Sequence, residues 1–283
     1  MLYPGSSRCT RHARHAQRPQ DDVDRLARVA VSESFIAGLP KVELHVHHVG
    51  SVPLRAVAEL AARHPGTVPS DLDELARYFI FDVPADFGVP AAELTASVAL
   101  DHDVPGLVGF GLGGTDRGFP RSMFRDQFDR ARAAGLRSVP HAGETTGPES
   151  VWDALVSLGA ERIEHGIAAV GDPRLLEHLV EHKIALDICL TSNVALRVVP
   201  DLDHHRIREL VANGVTVTIN TDDAPMVGTD LNTEYATGAR LLDLDEQGVT
   251  ELALAAVDAS FASRETKDAL RSEINSYAAM PAP

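Results

Sequence analysis

Hydrophobic and polar residues follow two alternating patterns along this chain from Leu39 onward. Short apolar runs typical of buried strands are separated by segments in which apolar residues recur every three or four positions, as in amphipathic helices. The strand candidates are residues 41–47, 107–113, 136–143, 162–167, 184–190 and 215–220. The helix candidates are residues 54–63, 72–78, 121–134, 149–158, 173–182 and 205–213, followed by an all-helical stretch at 231–277. Strands that alternate with helices in this way predict a parallel sheet.

Polar residues stand at the C-terminal ends of five of these predicted strands. They are His45 and His47, Gly113 and Gly114, His141 and Glu144, His165, and Asp222 and Asp223. A doubly wound sheet collects ligands in one crevice, whereas all strand ends of a barrel open into one mouth, so the pattern favours an α/β fold of the TIM-type (β/α) barrel class. Six strands fall short of eight, and residues 79–105 are too short for two more βα units. We therefore expect a barrel that lacks about two βα units.

The chain has 283 residues, 44% of them hydrophobic, which is enough to bury the core of one large domain. Residues 1–35 begin with a stretch rich in Pro, Ser, Arg and His that shows no periodicity, and we predict that this segment is a disordered tail. Residues 36–283 are predicted to form the barrel domain. His12 and His15 in the tail are interpreted as part of a solvated basic arm rather than as metal ligands.

Charge and cysteine content narrow the range of partners. The net charge of −15 disfavours binding to nucleic acid and to anionic membrane surfaces. Only Cys9 and Cys189 are present, which is no disulfide framework and fits a reducing compartment. No run reaches the roughly 18 apolar residues that span a bilayer, and the N-terminus has no apolar signal-peptide core. We therefore predict a cytoplasmic protein without membrane segments.

The stretch KVELHVHHVG, residues 41–50, places three histidines within four positions. His45 and His47 are two residues apart on a strand, so both leave the same face, and two imidazoles on a rigid element form half of a zinc or iron site. His48 faces the other side and is interpreted as structural. By itself the pattern also fits the polar end of a core strand.

Three further motifs offer acids, bases or ligands, and each has a structural alternative. In HAGE, His141 is a candidate ligand and Glu144 a carboxylate aimed at the same mouth, although a turn histidine with a helix-entry acid would look the same. In EHG, His165 could equally be a core histidine, and the preceding Glu164 is interpreted as a solvated charge. Asp222 and Asp223 follow a β-branched strand, and two adjacent carboxylates face different directions, so one can bind metal and the other substrate; turn formation is the alternative.

Two other motifs are excluded from common roles. GFGLGG, residues 109–114, lacks the spacing of a dinucleotide site, so it indicates either a close backbone approach to a flat ligand or a tight turn. Cys189 has no His or Asp pattern of a nucleophile around it and is predicted to be a buried core thiol. The zinc deaminases that carry a CxxC pattern are excluded because no CxxC occurs here.

In chain order the motifs read HxH, GLGG, HAGE, EHG, TSN and NTDD, and they resemble those of the adenosine deaminase family, a branch of the metal-dependent amidohydrolases. The resemblance extends from Leu39 to about Leu242, and the spacings of 24 positions from His141 to His165 and 81 from His141 to Asp222 match the family. It implies an enzyme of purine metabolism that hydrolytically deaminates a purine nucleoside or related 6-aminopurine and releases ammonia.

The resemblance also implies a role for each matching residue. One zinc ion would be held, with a position left open for water, by His45, His47, His141 and Asp222. The metal would lower the pKa of that water toward about 7. Glu144 would protonate ring nitrogen 1 of the purine, and His165 would orient the water and serve as base or electrostatic stabiliser. Asp223 would hydrogen-bond ring nitrogen 7, and the backbone at Gly114 would meet ring nitrogen 3.

Three departures from the family pattern bear on substrate and fold. Val49 stands where the family has an acidic residue that meets the sugar, so the substrate is left open between adenosine and another 6-aminopurine nucleoside, such as aminodeoxyfutalosine or a modified adenine. Ala224 separates the Asp pair from the usual proline, which could shift Asp223. His47 and His141 are only 94 positions apart. The family has roughly 80 more, the length of two βα units with their connections.

The missing segment also motivates two alternatives. The chain could be a truncated, catalytically inactive deaminase relative that retains metal binding, and self-association of chains could cover strand edges exposed by the gap. A different amidohydrolase reaction, hydrolysis of a cyclic amide, requires a carboxylated lysine between two metals. That reaction is disfavoured because no lysine stands at a predicted strand end.

Overall fold

The computed structural model describes residues 31–47, 79–102, 104 and 106–280 of the chain. The strands in these residues are β1 (Phe79–Pro84), β2 (Leu107–Gly113), β3 (Arg137–Ala142), β4 (Arg162–His165), β5 (Ala185–Ile188) and β6 (Val217–Ile219). The helices are α1 (Glu33–Gly38), α2 (Gly88–Asp101), α3 (Arg125–Ala133), α4 (Pro148–Asp153), α5 (Pro173–His182), α6 (Leu190–Ala195), α7 (Ile207–Ala212), α8 (Ala224–Val227), α9 (Leu231–Leu242), α10 (Glu246–Ala259) and α11 (Arg264–Ala278). Within this part of the chain, no helix combines the length and apolar character needed to cross a membrane.

The six strands form one parallel sheet in which each strand lies beside the next one along the chain, from β1 to β6. The segment that carries His45 and His47 continues this wall beyond β6, because Val46 pairs in parallel with Asp222. The His47 N–H donates to the Asp222 carbonyl (3.0 Å), and the Asp222 N–H donates to the His45 carbonyl (3.1 Å). These seven consecutive positions confirm the prediction of a TIM-type barrel that is shortened relative to the eight-stranded form.

The segment before β2 corrects the sequence prediction. Residues 79–100 were expected only to join neighbouring elements, but β1 and α2 form a complete βα unit there, so one of the two units thought to be missing is present. Asp82 interrupts the apolar run of β1, which hides the strand. The residues that α2 buries are Ala92, Ala96 and Ala99. Such small side chains produce only a weak helical periodicity, so the pattern of large apolar residues did not reveal this helix.

The N-terminal boundary is described only in part. Helix α1 begins inside the segment predicted to be a tail, and the Ser32 hydroxyl caps it by accepting a hydrogen bond from the Phe35 N–H (3.1 Å). Several predictions fall on residues outside the described ones and stay predictions: residues 1–30 as a tail, the helix candidates 54–63 and 72–78, and the interpretations of His48 and Val49.

The helices bury the outward-facing apolar residues of the sheet. On β4 to β6 these residues are Ile163, Leu186, Ile188, Val217 and Ile219, and they belong to the larger of two apolar clusters. Phe110 and Leu112 of β2 pack in the second cluster with Phe124 and Phe128. Because alternate residues of a strand leave opposite faces, the residues between these apolar positions point into the barrel.

The inward-facing residues of β4 to β6 are polar and form a chain of hydrogen bonds. Arg162 Nε donates to Asp187 Oδ2 (2.6 Å), the Thr218 hydroxyl donates to Asp187 Oδ1 (2.7 Å), and Asn220 Nδ2 donates to the Thr218 hydroxyl oxygen (2.8 Å). All four side chains are buried. Buried polar groups are stable only when they are paired, and this chain pairs each with the next, so it fixes the orientation of the Asn220 amide.

From Gly109 onward the inward face of β2 carries no side chain, because Gly109, Gly111 and Gly113 occupy its alternate positions. A Cβ at Gly111 would overlap Asp82 Oδ1 and lie 2.9 Å from the Val139 carbonyl oxygen. A Cβ at Gly113 would make only ordinary contacts of 3.6 Å and longer. The glycine at position 111 therefore provides the space in which the Asp82 carboxylate sits.

We expect Gly111→Ala to lower the free energy of unfolding by about 1–3 kcal/mol, because the added methyl group overpacks the site against a carboxylate and a backbone carbonyl. Gly113→Ala, on the same face of the same strand, is the matched control and should change stability much less. Urea unfolding of both variants measures the difference. Equal transition midpoints for the two variants would contradict the packing described here.

Candidate active site

Four side chains singled out as metal ligands by their sequence motifs converge at the C-terminal mouth of the barrel. The Nε2 atoms of His45 and His47 are 3.0 Å apart, and those of His47 and His141 are 3.3 Å apart. Asp222 Oδ1 lies 3.4 Å from His45 Nε2 and 3.2 Å from His47 Nε2. The side chain of His47 is 28% exposed and the other three are buried. The cluster is therefore buried, but it opens to the mouth at His47.

These four residues fit a single divalent metal ion. Two atoms that each lie about 2.1 Å from one zinc ion are at most about 4.2 Å apart, and the four neighbouring pairs in this cluster are 3.0–3.4 Å apart. Lone pairs of imidazole nitrogens at such short separations repel each other unless a proton or a cation lies between them. Imidazole and carboxylate are also the donors that zinc and related divalent metals accept in proteins. The arrangement can therefore hold one divalent ion.

Hydrogen bonds to the end of β6 hold the segment with the first two histidines in place. Asn220 Oδ1 accepts from the backbone N–H groups of Leu44 (2.7 Å) and His45 (3.1 Å). Glu43 Oε1 accepts from the backbone N–H (2.8 Å) and the hydroxyl (2.5 Å) of Thr221. Because these bonds fix the register of the segment against β6, they bring its imidazoles to the carboxylate that follows this strand.

Asp222 is held in the orientation and the charge state that a ligand needs. Its backbone has a φ of 63°, in the left-handed region that Asp tolerates better than most residues. The Ser192 hydroxyl donates to its Oδ2 atom (2.6 Å), which leaves Oδ1 to face the histidines. Burial alone would raise its pKa, but hydrogen bonds from His45 and His47 lower the pKa of Asp222 below its usual value. The carboxylate is therefore ionised.

Each histidine of the cluster, a ligand by prediction, meets a second partner at its other ring nitrogen, Nδ1. The pairs are His141 with Glu164 Oε2 (2.5 Å), His45 with Cys189 Sγ (3.5 Å) and His47 with Asp82 Oδ2 (3.8 Å). A partner of this kind orients the ring so that Nε2 faces the metal. The predicted buried core thiol at Cys189 is confirmed, and its place behind a histidine is a feature that the sequence did not reveal.

Glu164 corrects the sequence interpretation, which took it for a solvated charge. Its side chain is 4% exposed and lies against His141. Burial alone would raise the pKa of Glu164, but the positive charge of His141 lowers it, and Glu164 in turn raises the pKa of His141. Because both groups are buried, each interacts mainly with the other, and in the absence of metal they form a charged pair. A metal that binds His141 then has to displace a proton.

Glu144 and His165 lie beside the ligand cluster. His165 Nε2 is 3.5 Å from Glu144 Oε1 and 3.8 Å from Asp222 Oδ2. Burial raises the pKa of Glu144, whereas burial and the positive charges of His45 and His141 keep the pKa of His165 well below its usual value. A carboxyl group whose pKa is raised therefore stands next to an imidazole whose pKa is lowered.

Asp116 organises the loop between His141 and Glu144, and sequence reasoning missed it. Its Oδ2 atom accepts from the Gly143 N–H (3.0 Å) and the Thr146 hydroxyl (2.7 Å), and Oδ1 accepts from the Thr145 N–H (3.2 Å). The available sequence signal was an acid, Asp116, two positions after the glycine-rich stretch GFGLGG, together with the two threonines that follow HAGE. Only the fold brings these two strand ends together.

Arg121 supports the same loop through its backbone carbonyls, and sequence reasoning missed this residue as well. The guanidinium is fully buried and donates to the backbone carbonyls of His141 (2.9 Å) and Thr115 (3.1 Å). Burial lowers the pKa of Arg121, partly offset by the nearby Asp116 carboxylate. A buried cation with these partners holds the β3 end that carries a ligand histidine.

The two residues expected to bind substrate lie at the ends of β2 and β6. Gly114 has a φ of 84°, and a Cβ there would overlap Asp86 Oδ2, so both conformation and space favour glycine. Asp223 is half-buried at the start of α8, where its carbonyl accepts from the Met226 N–H (2.8 Å). Their contacts with a substrate stay predictions.

Residues 89–277 match a protein-family model described as adenosine deaminase. The chain is 44% identical to an aminodeoxyfutalosine deaminase from Streptomyces avermitilis, in an alignment of 333 positions that covers 87% of this chain and 93% of the relative. This alignment is longer than the chain itself, which has 283 residues. The relative therefore contains internal residues that this chain lacks.

Two solved structures share the fold. An adenine deaminase from Arthrobacter aurescens is 31% identical with a TM-score of 0.66, over 71% of this chain and 61% of that one. An amidohydrolase from Burkholderia ambifaria with bound zinc has a TM-score of 0.73 at 18% identity, over 94% of this chain and 96% of that one. At 18% identity the second likeness shows the fold alone.

We expect the purified protein to bind one divalent metal ion per chain, measured by elemental analysis. His141→Ala should lose this ion because it removes one of four ligands, whereas His204→Ala, which changes an exposed histidine paired with Asp201, should retain it. A chelator should lower the unfolding temperature of the parent protein, since the metal binds only the folded chain. Full metal content in His141→Ala would contradict the assigned site.

Proposed function

The chain belongs to the adenosine deaminase family, and on that premise we propose that it is a zinc-dependent enzyme that replaces the 6-amino group of a purine nucleoside by oxygen and releases ammonia. One observation carries the proposal. Four candidate ligands cluster with neighbouring separations of 3.0–3.4 Å, and a carboxyl group and an imidazole stand next to them. The metal ligands in this proposal are His45, His47, His141 and Asp222. When bound, the ion supplies a Lewis acid that lowers the pKa of a coordinated water.

Glu144 is suited to act as the general acid. Addition of water at carbon 6 pushes electrons onto ring nitrogen 1, and protonation of that nitrogen makes the carbon electrophilic. Burial raises the pKa of Glu144, so its carboxyl group keeps a proton at a pH where an exposed one would lose it. Its Oε1 atom is buried and has no hydrogen-bond partner within the described chain. The carboxyl group is therefore available to a substrate.

His165 would act on the water that adds to carbon 6. Its ring is neutral because its pKa is lowered, and it faces the space between Glu144 and Asp222. In this position it can orient the water, either as a base or as an electrostatic stabiliser. The added oxygen then gives up its remaining proton, the amino nitrogen gains one, and a C=O bond forms as the bond from carbon 6 to that nitrogen breaks and ammonia leaves.

We favour aminodeoxyfutalosine over unmodified adenosine as the substrate. The Streptomyces aminodeoxyfutalosine deaminase aligns with 87% of this chain. Val49 also stands where the family carries an acid toward the sugar, so a contact to a ribose hydroxyl is lost. Recognition of the purine would rest on Asp223 at ring nitrogen 7 and on the Gly114 backbone at ring nitrogen 3. All 6-aminopurine nucleosides have both of these ring nitrogens.

The zinc-loaded protein should release ammonia from a 6-aminopurine nucleoside, with a higher kcat/KM for aminodeoxyfutalosine than for adenosine. Ammonia can be followed by a coupled assay on both nucleosides and on free adenine. If the protein binds one metal ion but releases no ammonia from any of them, the alternative of an inactive relative that retains metal binding replaces this proposal.

Glu144→Gln should lower kcat by roughly 10²–10⁴-fold, the usual contribution of a positioned general acid, while metal content stays at one ion per chain. Glu149→Gln is the matched control, because Glu149 lies in the first turn of α4 on the same loop and is exposed. Its kcat should equal that of the parent. A Glu144→Gln enzyme with full activity would remove Glu144 from the mechanism.

A further inference from the structure

Behind His165, two buried side chains form a hydrogen-bonded chain that ends on a backbone N–H group. We propose that Asn193 and His205 are positioning residues that hold His165 as the tautomer with its proton on Nε2, so that it meets the reacting oxygen as a hydrogen-bond donor and not as a base. The proposal rests on the proposed function for the identity of that oxygen, but the tautomer itself can be measured without turnover.

The chain starts at the backbone of Ile207, whose N–H donates to His205 Nδ1 (3.1 Å). Ile207 is the first residue of α7, so this N–H has no partner inside the helix. A backbone nitrogen can only donate, so His205 Nδ1 must carry a lone pair. Burial lowers the pKa of His205 to about 4, which keeps the ring neutral. The single ring proton therefore lies on His205 Nε2.

The second link orients the Asn193 amide. His205 Nε2 lies 3.1 Å from Asn193 Oδ1, and a ring N–H can donate only to the oxygen of an amide. The amide nitrogen Nδ2 must then face the other way, where it lies 3.2 Å from His165 Nδ1. Because Nδ2 also only donates, His165 Nδ1 carries a lone pair. In a neutral ring the proton is then on Nε2.

The tautomer decides what His165 can do. An imidazole with its proton on Nε2 can donate a hydrogen bond to the oxygen that adds to carbon 6 and stabilise the charge that develops there. It cannot accept a proton at that atom. In this role His165 itself neither gains nor loses a proton during the reaction.

Nitrogen-15 NMR of histidine-labelled protein, metal-free and zinc-loaded, tests the proposal directly, because the two tautomers differ in which ring nitrogen is protonated. His165→Gln identifies the His165 signals by their loss. We expect the Nε2-protonated tautomer in the parent protein. Asn193→Asp replaces the donor by an acceptor, so it should move the proton to His165 Nδ1. Asn213→Asp is the matched control, since this exposed amide only caps the Glu209 carbonyl of its own helix.

A second pair of variants covers the case in which Asn193→Asp does not fold. His205→Gln retains an acceptor for the Ile207 N–H and a donor for Asn193 Oδ1, so it should keep the tautomer of His165. His205→Leu has neither group, so the tautomer of His165 should no longer be fixed. With zinc and substrate, Asn193→Asp and His205→Leu should lower kcat by about 10–100-fold with little change in KM, and His205→Gln should largely restore it.

Two results would overturn the proposal. One is a proton on His165 Nδ1 in the parent protein, and the other is a folded Asn193→Asp variant in which the tautomer is unchanged or kcat rises. If no nucleoside is deaminated, the proposed function fails, but the NMR measurement still decides the tautomer, so the two failures are distinguishable.

Discussion

The site depends on one constraint: three imidazoles and a carboxylate have to stay clustered in a largely buried space, with His47 3.0–3.3 Å from the two other imidazoles and Asp222 Oδ1 3.2–3.4 Å from His45 and His47. Groups of this kind repel or trap protons when no cation lies between them, so the fold must hold them there against their own preference. The fold holds two of the imidazoles on its least regular element, a short segment that joins the wall through a single bridge. One parallel bridge, the Asn220 amide and the Glu43 carboxylate tie a short extended segment to the end of β6. The site therefore depends on this register as much as on the ligands themselves.

A second layer of polar side chains makes that register rigid. TIM barrels usually fill their interior with layers of branched apolar residues, but here the interior of β4 to β6 carries Arg162, Asp187, Thr218 and Asn220 in one hydrogen-bonded chain. A buried ion pair contributes little to stability by itself, and its more general value is to specify one arrangement. Behind His165, Asn193 and His205 likewise form a buried hydrogen-bonded chain. Asp222 and the three histidines of the cluster each meet a second polar partner, an arrangement that orients side chains for metal binding.

The shortened barrel spares this site because of where its parts come from. The candidate ligands and the groups beside them lie at the ends of β3, β4 and β6 and on the segment paired with β6, and all of these belong to one continuous stretch of wall that also contains β5. On the other side, β1 and β2 contribute a single carboxylate, Asp82, and a row of glycines that leaves the interior open. The alignment with the Streptomyces relative also indicates residues absent from this chain. The stretch of wall that carries the candidate ligands is therefore present in this chain.

The amino-acid sequence by itself determined the strands that carry large apolar residues and the ligand motifs at their ends. Both are local: a strand is encoded in a few adjacent residues, and each ligand stands next to its own strand. Tertiary structure alone decided the rest. The β1–α2 unit escaped notice because its helix buries only alanines, and Glu164 was misjudged because its burial depends on His141, 23 positions away. The Asn193–His205 chain depends on distance and on donor direction, which no spacing along a sequence records, so only the folded chain shows which nitrogen of His165 holds its proton.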